Sequence, residues 1–66
     1  MQFITVKLAE DGALLYINVA NISFMRVSDE NETWSIIGLI GDTILVVADE
    51  PLELVVEKIR RAHELL

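Results

Sequence analysis

The last seventeen residues, Glu50 to Leu66, constrain the fold more than any other stretch of this chain. Leu52, Val55, Val56, Ile59, Ala62, His63 and Leu66 recur at helical spacing. That spacing lays an apolar stripe along one side of a helix, with Glu53, Glu57, Arg60, Arg61 and Glu64 mostly on the other. Everything before it reads as short strands, each with an apolar face that needs a cover. This helix is the only element able to supply one.

Phe3 to Leu8 alternates, with Ile4, Val6 and Leu8 on one side and Phe3, Thr5 and Lys7 on the other. Asp11-Gly12 then gives the strongest short hairpin signal. The next strand, Leu14 to Val19, sets Leu15, Ile17 and Val19 against Leu14, Tyr16 and Asn18. Asn18 and Asn21 favour a local turn, because their side chains bond nearby backbone groups. A kink or a single helical turn is expected there. A third strand runs from Ile22 to about Val27, and a bulge near Asn21 would reset which of its residues face inward.

The polar run Ser28 to Glu32 makes an exposed turn. Thr33 to Ile40 forms a fourth strand whose two faces are both substantially apolar, so cover on both sides is expected. After the Gly41-Asp42 turn, Thr43 to Ala48 reads as a fifth strand without a polar face, which also calls for cover on each side. Pro51 suits the first helical position, where its missing N–H costs nothing. Asp49 and Glu50 place negative charge at the positive end of the helix dipole, with Asp49 the better N-cap type. Glu57 and Arg61 are spaced for an i,i+4 pair.

These elements predict one α+β domain over residues 1–66, with strands within 3–48 and the helix over about 50–66. The sheet is small, antiparallel and strongly bent, with four or five strands, and the bend is enough to allow a barrel-like form. A chain of this length buries only about 60% of its unfolded surface, so its stability alone is marginal. It has no cysteine, hence no disulfide or thiolate-bound zinc to supplement the core. Yet 53% of its residues are hydrophobic, high for so small a domain, so some of them face outward. Extended apolar patches on soluble proteins mark interfaces. A homo-oligomer is therefore expected. Phe3, Tyr16, Phe24, Trp34, Ile36, Leu54 and Leu65 are the candidate interface residues, Trp34 and Phe24 foremost.

A net charge of −6, with only Lys7, Arg26, Lys58, Arg60 and Arg61 positive, disfavours direct binding to nucleic acid. A basic partner or a neutral protein surface fits better. Met1-Gln2-Phe3-Ile4-Thr5 lacks the positive and long apolar regions of a signal peptide. The apolar runs are far shorter than the ~20 residues that span a bilayer. No membrane span and a cytoplasmic location are expected.

The chain offers few residues for chemistry. The lone histidine, His63, has no second His or Cys to share a metal, and the helix dipole explains a cation at that end. Asp29-Glu30-Asn31-Glu32 is too short for a calcium loop and reads as a solvated turn. Gly38 and Gly41 lack the Lys and Ser/Thr of a phosphate-binding loop. Ser23, Ser28 and Ser35 have no triad arrangement, and the adjacent Asp49 and Glu50 serve helix initiation. No catalytic residue, metal or cofactor is implied. A polar pocket converging on Asp49, Glu50 and His63 would be the sign of an enzyme. The aromatics could stack on single-stranded nucleic acid, but that mode also needs a positive groove.

Phe3-Ile4-Thr5-Val6 and its hairpin, Tyr16-Ile17-Asn18-Val19-Ala20-Asn21-Ile22, Gly41-Asp42-Thr43-Ile44-Leu45-Val46-Val47 and the acidic helix from Asp49 through Glu53 to Ile59 form a pattern. It resembles the FlbD family of small bacterial flagellar proteins and related small bacterial domains. The resemblance spans most of the chain, on generic motifs. Family members often have Pro where this chain has Val19, and a more basic late hairpin. The resemblance implies a small β-sheet with a C-terminal helix and a non-enzymatic role. The expected function is a protein–protein interaction or assembly module that self-associates. The alternative is an oligomeric regulator that binds nucleic acid.

Overall fold

Alternation within the first two segments produces a hairpin, and a computed structural model, which describes residues 2–64, shows its register. Strands β1 (Phe3–Lys7) and β2 (Leu14–Asn18) pair antiparallel from Phe3↔Asn18 to Lys7↔Leu14 without a bulge. Gly12 turns the loop at φ 76°, a conformation that favours glycine. Ile4, Val6 and Ile17 face inward and are buried, while Leu14 and Tyr16, on the opposite face as the alternation predicts, face water.

A single 3-10 turn (Val19–Asn21) follows, and Asn18 caps it by accepting from the Ala20 N–H at 3.0 Å. It delivers the chain into β3 (Ile22–Val27), which pairs with β4 (Ser35–Leu39), which pairs in turn with β5 (Val46–Ala48), all antiparallel. A register shift also lies between Ile22 and Phe24. Its effect is visible in the packing. Ile22 and Met25 differ in parity, yet both pack against the core, and Phe24 is turned outward.

The chain is thus α+β, with two antiparallel sheets and one C-terminal helix, α1 (Leu52–Glu64). The two sheets meet at one bridge, Leu8↔Ala48, flanked by hydrogen bonds from Ala9 N to Val47 O (2.9 Å) and from Asp49 N to Lys7 O (2.7 Å). They are not closed into a barrel. The helix packs chiefly on β1 and β3, so it straddles both sheets. Val55 is fully buried, and Ile59 and Ala62 join the core of Ile4, Val6, Ile17, Ile37 and Ala48. No helix among the described residues is long and apolar enough to cross a membrane.

Three expectations are corrected. Pairing of the fifth strand begins only at Val46, and Ile44 and Leu45 are 75% and 43% exposed. Extending the β4–β5 register would set Leu45 opposite Gly38, which has no side chain to meet it. The end of β4 also turns the other way, where Ile40 N donates to Asn21 O at 2.7 Å. The buried helical stripe is narrower than the spacing implies, because Val56 is 46% exposed and His63 faces water. The Pro51 carbonyl accepts the first helical bond, from Val55 N at 3.3 Å, so the helix starts one residue after Pro51, within one residue of the expected start. The Asp49 carboxylate lies 3.9 Å from Lys7 Nζ rather than over the helix end.

Candidate functional site

The β1 ladder decides which backbone groups need a partner. Val19 N donates to Gln2 O and Leu8 N to Ala13 O, so the even-numbered residues of β1 turn their amide groups toward β2. Thr5 and Lys7 turn theirs to the opposite edge. There Lys7 N donates to Glu50 Oε2 at 2.8 Å, and Thr5 O accepts from Lys58 Nζ at 2.6 Å. Glu50 and Lys58 also pair with each other. A carboxylate from just before α1 and an ammonium from the middle of α1 thus finish a strand edge where a neighbouring strand would otherwise run. Ser35, fully buried, donates its hydroxyl to Glu50 O at 2.7 Å and ties the same point to β4. This is structural chemistry. Glu50 is 8% exposed and serves the fold.

The three residues that would mark a catalytic pocket do not converge. His63 lines a hollow of about 430 Å³ with Gln2, Asn18, Val19 and Ala20, and neither Asp49 nor Glu50 lines it. A second hollow of about 300 Å³ is lined by Leu8, Leu15, Ile44, Leu45, Val46 and Val47, with Glu10 as its one charged group. On the outer face of α1, Arg60 bonds Glu57 and Glu64, and Arg61 Nε donates to Glu57 at 3.1 Å, the expected i,i+4 pair. The Arg60 hydrogen bond, opposed in part by desolvation, holds the Glu57 carboxyl below its usual range, and Glu57 in return raises Arg60.

The remaining feature is exposed apolar surface. Phe3 (51%) and Tyr16 (69%) share the outer face of the hairpin with Leu14. Phe24 (45%) lies outward on β3, and Leu54 is 44% exposed on the helix. Trp34, expected as an anchor, is half-buried where the β3–β4 loop closes, with its N–H donated to Asn31 O and its C=O accepting from Ser28 N. Ile36 is corrected: it is 9% exposed and belongs to the interior. It sits on the central strand between Arg26 and Val47, so neighbours flank it on both sides. Leu65 lies outside the described residues. Sequence reasoning missed Leu14, Ile40 and Ile44, exposed by 65–75%. Leu14 was legible in the alternation of its strand, whereas the two isoleucines look like strand residues until the pairing is known.

The Phe24 ring lies across Gly38. A Cβ at Gly38 would come within 2.2 Å of Phe24 Cε1 and 2.6 Å of Cδ1 and Cζ. Gly38→Ala is therefore expected to push the ring off β4 at a cost of about 1–3 kcal/mol in chemical denaturation. In a Phe24→Ala background that cost should shrink to about 0.5 kcal/mol or less, because the colliding ring is gone. An undiminished cost would show that the ring is not the cause.

No protein-family model, no curated protein and no solved structure matches this chain.

Proposed function

We propose that this chain is a cytoplasmic, non-enzymatic protein–protein interaction or assembly module that works as a homo-oligomer. The observation that carries the reading is the exposed outer face of the hairpin, where Phe3, Leu14 and Tyr16 stand 51–69% exposed. Large apolar side chains gathered on one face lose water contact when a partner covers them, and a domain with so small a core gains stability from that cover. The resemblance to the FlbD family implies the same absence of catalysis. The acidic balance, −6 over the whole chain, favours protein over nucleic acid as what is bound.

Sedimentation of the full chain at micromolar concentration tests the reading. The expected result is a species at least twice the monomer mass of 7.4 kDa, weakening on dilution. A stable monomer throughout that range overturns it.

A further inference from the structure

We propose that two copies of this chain pair antiparallel along the open edge of β2, with Tyr16 opposite Tyr16 of the second copy, to make one four-stranded sheet. The proposal rests on the self-association inferred above and names its surface.

The ladder that directs even-numbered β1 residues toward β2 directs Leu15 and Ile17 toward β1 in return. The N–H and C=O groups of Leu14 and Tyr16 therefore point to the far edge of β2. Among the described residues no strand pairs there, and no hydrogen bond from outside the ladder reaches either residue. Proteins protect such edges with charges, prolines, bulges or covers. The other edges among the described residues carry such devices, that of β5 through the Leu8↔Ala48 bridge and the Ala9 N–H. That of β1 is finished by Asp49, Glu50 and Lys58, and that of β3 carries Arg26 and the bulge after Ile22. Leu14–Asn18 has no charge, no proline and no bulge.

A second copy fits this edge in both pattern and charge. A two-fold axis at Tyr16 sets Leu14 opposite Asn18 and Leu15 opposite Ile17 of the second copy. Inner faces then continue inner faces, and the exposed Tyr16 side chains meet on the outer one. With −6 on each copy, repulsion is the main obstacle. The paired strands are uncharged, and antiparallel pairing sends the acidic Glu10-Asp11 tips to opposite ends. Four residue steps of about 3.4 Å put those tips at least ~14 Å apart. That exceeds the Debye length of ~8 Å at physiological salt.

Sedimentation equilibrium of the full chain, Tyr16→Lys and Phe24→Lys provides the test, with circular dichroism confirming that each variant is folded. Tyr16→Lys is expected to weaken association by about tenfold or more, and Phe24→Lys to leave it unchanged. Hydrogen exchange above the dissociation constant should protect the Leu14 and Tyr16 amides and leave the Met25 and Val27 amides as in the monomer. An oligomer that ignores Tyr16→Lys, or loses affinity only with Phe24→Lys, or leaves Leu14 and Tyr16 unprotected, overturns the β2 edge while self-association stands. A wild-type chain that never associates overturns both.

Discussion

Lys58→Met is expected to destabilise the fold by about 2–3 kcal/mol in urea or thermal unfolding. The range lies below the ~3–5 kcal/mol typical of a fully buried pair, because the Lys58 side chain is 32% exposed against 10% for Glu50. The loss has two parts. The Glu50 carboxylate stays inside without its counter-charge, and the Thr5 carbonyl loses its only hydrogen-bond donor among the described residues. Glu50→Gln should cost less, about 1 kcal/mol, since an amide oxygen still accepts from Lys7 N. The double variant Glu50→Gln, Lys58→Met should then be more stable than Lys58→Met alone, because no buried charge is left unpaired. If the double variant is the less stable of the two, the pair does not act through charge compensation.

Ile37→Ala is the largest loss expected from the core. Ile37 is fully buried on the central strand, between Met25 on β3 and Val46 on β5. Such truncations cost about 2–5 kcal/mol through lost transfer energy and the cavity left behind. A domain of this length has about 3–10 kcal/mol in all. Ile37→Ala should therefore shift a large fraction of the protein to the unfolded state at room temperature, read as loss of the cooperative denaturation transition. Ile44→Ala, equal in chemistry but 75% exposed, should stay within about 0.5 kcal/mol of wild type. Equal effects at the two positions would mean that the exposed loop is packed in solution.

The legibility of this fold follows the reach of each interaction. Alternation put Ile4 and Val6 on one face of their strand and separated Ile17 from Tyr16, because a strand's two faces are set residue by residue; which face turns inward was decided by packing. The turn after Asn18 was visible for the same reason, since it is a local backbone event, whereas the shift after Ile22 shows itself only in the pairing with β4. Ile36 and Ile44 were misplaced because strand identity does not reveal strand position. Both look alike in sequence, and only the pairing puts one on the central strand and the other in a loop beyond the last paired residue.

The part of the candidate site that could be read in sequence is its composition: too many apolar residues for so small a core, and no catalytic set. Which residues are left outside depended on tertiary structure. The helix at the C-terminus was legible from its own spacing, and so was its role as a cover. The sequence alone did not show that it reaches across two sheets with Val55, Ile59 and Ala62. Nor did it show that Glu50 and Lys58 finish the edge of β1. The two bonds at the β1 edge join residues 43 and 53 positions apart, and such contacts exist only once the sheets have found their register. Local spacing determined the elements. Long-range hydrogen bonding closed the edge of β1 and, among the described residues, left that of β2 without a partner.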